Sequence, residues 1–399
     1  MRSRSGFVRI QHIVRSLAPV IVLLISCVSA RGQSSGLLLG LSSHKCTEDI
    51  CTQDLRTIWI APQGTVVKQV AALPDLIVPR QDGFWRLGVR TNCTAYDWML
   101  SKRDHLFAVP VNQRPVVQGG VACADATEEA LKNYDRLMTT KKVARRGKKD
   151  EREADDFDIA NAKMHGAAAL CESTSVEIKF ANPRYIAELH SYNVECGVHP
   201  DGSYSYHMVR FESPAEPVPV SSGVGVKASE HYLKMAQQAV SDNAEEQGDK
   251  SGCGVDLDDK GWYIFRDKGR WLARGEIFIH RLCGAVDFNL PATFTQAVGI
   301  HENALFSLST LRKSVPEAKD AFWSPRHDLL VVMTDSEFRV FKPAGAKLGP
   351  SVLTIPREEL EVPVMAEWAL GSSVARWSSE LIKLQQQTLP EPLVQPEQK

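Results

Sequence analysis

The chain has 399 residues carrying 47 basic and 48 acidic side chains, and a 43% hydrophobic fraction large enough for a sizeable core. Setting aside the four arginines of the first 30 residues leaves 43 basic against 48 acidic residues, a formal charge near −5. That balance excludes nucleic acid as a partner, because phosphate binding needs a basic footprint.

Residues 1–30 join a basic head (Arg2, Arg4, Arg9, Arg15) to an apolar run, Leu17 to Val28, and then to small residues. This is the build of an export signal: the run suits a signal peptide and is short for a membrane span. Cleavage after Ala30 leaves residues 31–399 as a single large β-rich domain. Within the leader, Leu24-Ile25-Ser26-Cys27 resembles a bacterial lipobox, which makes Cys27 a candidate for lipidation. No later segment has the roughly 20 apolar residues that a membrane-crossing helix needs. The expected location is therefore periplasmic or secreted, with the membrane touched only through the signal peptide or a lipid on Cys27.

Eight further cysteines, at 46, 51, 93, 123, 171, 196, 253 and 283, give an even count suited to an oxidising compartment. Eight thiols allow about 105 connectivities. Pairing of sequential neighbours (Cys46 with Cys51, Cys93 with Cys123, Cys171 with Cys196, Cys253 with Cys283) is the expectation, with free buried thiols as the alternative. None forms a CxxC, so a zinc ribbon or thioredoxin-like site is not expected.

Short β-branched and aromatic runs punctuated by Gly, Pro and Asp predict strands along most of the chain. The first group is Arg56–Ala61, Thr65–Ala71, Leu76–Pro79, Phe84–Val89 and His105–Val111; a second covers Ser175–Phe180, Tyr185–Cys196 and Tyr204–Phe211. A third runs Trp262–Arg266, Trp271–Arg281 and Ala285–Leu290, and the last takes in Ala304–Leu311, Leu329–Thr334, Glu337–Phe341, Val352–Ile355 and Val362–Leu370. Two stretches carry helical spacing instead, Ala126–Thr139 and Lys227–Val240, and each leads into a charged tail. They are read as insertions at about 125–165 and 226–251. Residues 388–399 read as a flexible, proline-rich tail.

Phe322 to Phe341, FWSPRHDLLVVMTDSEFRVF, places a Trp323-Ser324-Pro325 turn before one strand and an Asp335-Ser336 turn before the next. Similar turn-then-strand units stand at Pro79–Leu87, Pro200–Tyr206 and Asp259–Phe265, where Pro and Asp set the turn, Gly supplies a positive φ and aromatics bury. In these motifs the chain resembles blades of the β-propeller superfamily. The resemblance implies a mainly β, antiparallel, irregular propeller or propeller-like fold bearing two helical insertions, although the units recur at uneven spacing where propeller repeats recur every ~40–50 residues.

Asp256-Leu257-Asp258-Asp259-Lys260-Gly261 approaches a calcium loop, but Lys260 stands where a ligand belongs and Asp267 takes the place of the closing Glu. Asp256 and Asp258 are thus the weak candidates in a chain expected to hold no metal and no cofactor. The histidines form neither HxH nor HExxH; His190 and His207 fall on adjacent predicted strands, and His280 and His301 flank another pair. Neither G-x-S-x-G nor a convincing S-x-x-K appears, so catalytic residues stay unassigned. Adjacent aromatics on a strand point to opposite faces and at least one of each pair is core, which leaves Trp85, Trp262 and Trp271 as candidates for a recognition surface. The sequence therefore predicts an exported cell-envelope binding or scaffold protein recognising a protein or glycan. The alternative is an extracytoplasmic hydrolase or lyase whose site assembles from dispersed His, Asp and Arg residues.

Overall fold

The computed structural model describes residues 34–47, 50–96, 99–113, 169–194, 201–247, 257–278, 285–300, 304–345 and 347–388, with parts of a helical stretch between 123 and 136. Residues 1–33, with the expected signal and Cys27, lie outside the described residues, as do Cys196, Cys253, Cys283, Asp256, His280, His301 and the tail beyond 388. None of the described helices is long and apolar enough to cross a membrane.

In chain order the strands begin with β1 (Ser35–Thr47), β2 (Ile50–Gln63), β3 (Val66–Pro74), β4 (Leu76–Arg80), β5 (Gly83–Tyr96) and β6 (Met99–Pro110). After the first insertion come β7 (Ala169–Ala181), β8 (Tyr185–Val194), β9 (Asp201–Arg210) and β10 (Ser213–Pro217), then helices α1 (Val220–Gly223) and α2 (Val226–Gln247). The rest comprises β11 (Trp262–Asp267), β12 (Arg270–Phe278), β13 (Ala285–Asn289), α3 (Ala292–Ala297), α4 (Leu308–Leu311), β14 (Asp320–Trp323), β15 (Leu330–Met333), β16 (Glu337–Phe341), β17 (Ser351–Pro356), β18 (Val362–Leu370) and α5 (Ser372–Thr388).

These strands form four separate sheets, ordered β18-β1-β2-β3, β10-β9-β8-β7-β6-β5-β4, β11-β12-β13 and β14-β15-β16-β17. None is closed. The propeller expectation is overturned: the sheets hold four, seven, three and four strands, and the seven-stranded one is fused through a parallel pairing of β6 with β7. A sandwich-like stacking of small sheets describes the fold instead. The physical reason lies in the motifs themselves. Arg80 pairs directly with Gly83 across the Gln81-Asp82 turn, and Gly83 takes φ 126°; the Asp259–Phe265 unit instead leads from α2 into β11 without a hairpin, so such motifs set local turns at most and leave the number and arrangement of sheets undetermined.

The first sheet is buried on both faces. Leu38, Trp59 and Met365 join a core shared with the seven-stranded sheet, while Leu37, Leu39 and Leu41 join one shared with β14–β17. Double burial explains why β1 reads Leu37-Leu38-Leu39, an unbroken apolar run rather than an alternating one. Helix α5 seals the first of these cores, with Trp377 5.6 Å from Trp59 and 5.5 Å from Phe84, and the Trp59 indole N–H donating to Ser378 Oγ at 2.9 Å. A third core joins the seven-stranded sheet to β11–β13 and α2, around Trp262, Tyr232 and Phe294.

Both predicted helical insertions show helix. The second is α2; the first is seen in part, and Cys93 of β5 is bonded to Cys123 just ahead of it, closing a separation of 30 residues. Cys46 and Cys51 occupy partner positions across the β1–β2 hairpin, and Cys171 falls within β7. Leu100, Ala126 and Ala130 bury around the Cys93–Cys123 bridge. Replacing Cys93→Ser and Cys123→Ser together is expected to lower unfolding free energy by about 3.5 kcal/mol, the chain-entropy value for a loop of this length. Urea denaturation of the oxidised protein against the double variant measures it.

Candidate functional site

A cavity of about 280 Å³ opens where the sheets meet. One wall is β18, and as the edge strand of its sheet it offers Ala366, Glu367 and Trp368 in succession. The opposite wall carries Trp271 of β12 and Phe180 of β7, packed edge to face at 5.0 Å. Phe322 and Trp323 of β14 form the floor, while the exposed Ala304 and Pro325 stand at the mouth.

Arg266 of β11 holds this wall together. Its side chain is 5% exposed, and it grips Asp320, also 5% exposed, through Nε–Oδ2 at 2.6 Å and Nη2–Oδ1 at 2.8 Å, with Nη2 donating besides to Ala321 O at 2.8 Å. The guanidinium lies 4.1 Å over the Phe322 ring and 5.1 Å over Trp271. One residue thus fixes β11 to β14 and orients two aromatic walls. The turn that delivers it, Asp267-Lys268-Gly269-Arg270, needs positive φ at both central residues (46° and 85°), and glycine supplies the second freely. Asn182, also on the lining, is committed to structure: Nδ2 donates to Val298 O at 2.8 Å, and Oδ1 accepts from the backbone N–H groups of Arg184 and Tyr185.

Glu367 differs from both. Among the described residues no hydrogen bond or ion pair reaches its carboxyl, and burial pushes its pKa up to about 8. Desolvation disfavours the charged form, and no nearby cation offsets it. The acid, half-buried on the cavity lining, therefore holds its proton to a higher pH than an exposed glutamate does.

The sequence candidates are distributed as follows. Trp271 lines the cavity. Trp262 is wholly buried in the third core, its indole N–H donating to Val218 O at 2.7 Å. Trp85 stands apart beside Asp82 and Phe211, with Arg80 5.1 Å over its ring. Asp258 is exposed and, among the described residues, accepts only from the Lys260 backbone N–H, in a local turn. Its neighbour Asp259 accepts from Ser221 N at 2.8 Å and Ser229 Oγ at 2.6 Å; burial pushes its pKa up, but these hydrogen bonds hold it below the usual carboxylate value. It fastens the start of α1 and α2 rather than an ion. Among the described residues, no group of three His, Cys, Asp or Glu side chains is placed to hold a metal.

His190 and His207 do come together, with ring centroids 5.7 Å apart. Register puts Glu188 opposite His207 and His190 opposite Ser205, so all four share one sheet face. His190 Nε2 meets Glu188 at 2.8 Å and His207 Nε2 meets Ser205 Oγ at 2.9 Å. Burial, and secondarily the charge of His190, lowers the His207 pKa. A further buried acid, Glu276, faces Asp287 across β12–β13; burial first and that like charge second push its pKa up to about 7.

Glu367 was not among the sequence candidates, although a signal for it exists. It is the lone charge in Val364-Met365-Ala366-Glu367-Trp368-Ala369-Leu370, an otherwise apolar strand. Arg266 and Asp320 carry no such signal, because they lie 54 residues apart.

No protein-family model and no curated protein matches the chain. Among solved structures it is similar to the crystal structure of a DUF3298 family member from Bacteroides fragilis, at 10% sequence identity and a TM-score of 0.28, over 53% of this chain and 91% of that one.

Proposed function

We propose that this protein is a non-catalytic binding module of the cell envelope, exported to the periplasm or beyond, that recognises a protein or glycan through a group inserted into the cavity between the sheets. The observation that carries this reading is the cavity itself: an aromatic-walled recess, braced by a buried ion pair, with one uncommitted acid and a mouth at the surface. Concave recesses in which a few polar groups stand among aromatic side chains are a usual form of ligand site. The hydrolase or lyase alternative draws its support from the Glu188, His190, Ser205 and His207 cluster, but none of these residues lines the cavity.

The test closes the mouth without disturbing the core. Ala304 is exposed, so Ala304→Trp adds a ring there while the packed walls stay intact. Retention of the purified protein on an isolated cell-envelope fraction is expected to fall by about tenfold or more in this variant, with its melting temperature unchanged. Equal retention of the two proteins would refute the cavity as the recognition site.

A further inference from the structure

We infer that the group admitted by the cavity is an alkylammonium cation, a primary or quaternary amine on a short carbon chain, paired with Glu367 and flanked by aromatic rings. This rests on the cavity being the recognition site and names the chemistry that the site selects.

The first argument is an inventory of polar groups on the wall. Arg266 is engaged by Asp320 and Ala321, and Asn182 by Val298, Arg184 and Tyr185. Of the charged and amide side chains on the wall, Glu367 alone has no partner among the described residues. A sugar ring would bring several hydroxyls into the recess, each costly to desolvate without a counterpart. An amine brings one charge on an apolar stem, which matches one acid among rings.

The walls already hold a cation. The Arg266 guanidinium sits over Phe322 and Trp271 at 4.1 and 5.1 Å, within the range where the electron-rich face of a ring attracts positive charge. Trp323 and Trp368 add two further rings on the same lining. Size agrees too: at about 280 Å³ the recess falls just below the ~300–1,000 Å³ of pockets for drug-sized molecules.

Electrostatics favours the same class. Arg266 and Asp320 cancel each other, and Arg184, whose guanidinium lies beside Gly299 on the wall, is the other charged neighbour. Burial alone accounts for the raised pKa of Glu367, so neither arginine compensates it. A bound ammonium would supply the missing counter-charge, and the carboxyl would give up its proton to solvent as the pair forms. Affinity should therefore tighten as pH rises from about 6.5 to about 8.5, while the amine itself stays charged.

Calorimetric titration of the mature protein with choline and n-butylamine, each against its neutral isostere, tests this, with N-acetylglucosamine as a neutral sugar arm. Both amines are expected to bind at least about tenfold tighter than their isosteres, and E367Q should abolish that preference while remaining folded. Equal binding of amine and isostere, undiminished amine binding by E367Q, or no amine binding to the wild type would each overturn the cation. Ala304→Trp separates the two readings. If a neutral probe binds the wild type but not this variant, the cation assignment fails and the cavity survives; if probes bind both proteins alike, the cavity fails as well.

Discussion

Replacing Arg266→Ala is expected to destabilise the protein by about 3–5 kcal/mol, the cost of leaving a buried carboxylate uncompensated. Asp320 is as enclosed as its partner, and its two oxygens take the two guanidinium bonds at 2.6 and 2.8 Å. Removing the arginine also strips the cation from Phe322 and Trp271 and unfastens Nη2 from Ala321 O. An isosteric apolar pair should cost far less, because a buried ion pair repays its desolvation only in part. Denaturant unfolding of Arg266→Ala beside Arg266→Met/Asp320→Leu checks both statements. A double variant as unstable as the single one would show that the pair contributes directional bonding that packing cannot replace.

The second large effect runs the opposite way. Glu367→Gln is expected to stabilise the unliganded protein, and the gain should grow with pH. With a folded pKa near 8 against an ordinary 4.5, the native state keeps its proton where the unfolded chain has lost it. Stability therefore declines as pH rises between those values and is unaffected by this group below the lower one. Glutamine never ionises. Its advantage should be slight near pH 4.5 and reach about 2–4 kcal/mol near pH 8, allowing for partial solvent contact through the cavity. Unfolding free energies at both pH values measure it, and a gain that stays constant with pH would mean that the carboxyl is not held neutral. A residue retained at such a cost is a common mark of binding sites.

What the sequence shows of this architecture is local. Leu76–Pro79, Phe84–Val89, Glu337–Phe341 and Val362–Leu370 all carry β-branched or aromatic runs, and each lies in an observed strand. Ala304–Leu311 reads as a strand but ends in helix α4, because Ser307 caps it, its side chain accepting from Thr310 N at 3.2 Å. β1 escaped the strand reading since burial on both faces erases alternation. Helix α5 escaped it as well: Val374, Leu381 and Leu384 are its buried residues, a sparse apolar stripe among serines, glutamines and charges. Of the cavity, Trp271 is legible as an aromatic near a turn, whereas the convergence of β7, β11, β14 and β18 depends on how the sheets stack. Stacking is written in long-range packing, which no local motif states.

The pairing of β1 with β18 carries a temporal consequence. Ser35 lies opposite Leu370, and Gly371 N donates to Ser34 O at 3.0 Å, so the earliest described strand waits for the last described one. Glu367 rides on that late arrival. A ribosome that stalled before residue 362 would leave β1 with one unsatisfied edge and no recess at all. Completion of the recess and closure of that seam are one event, which waits until residues 362–371 have been made.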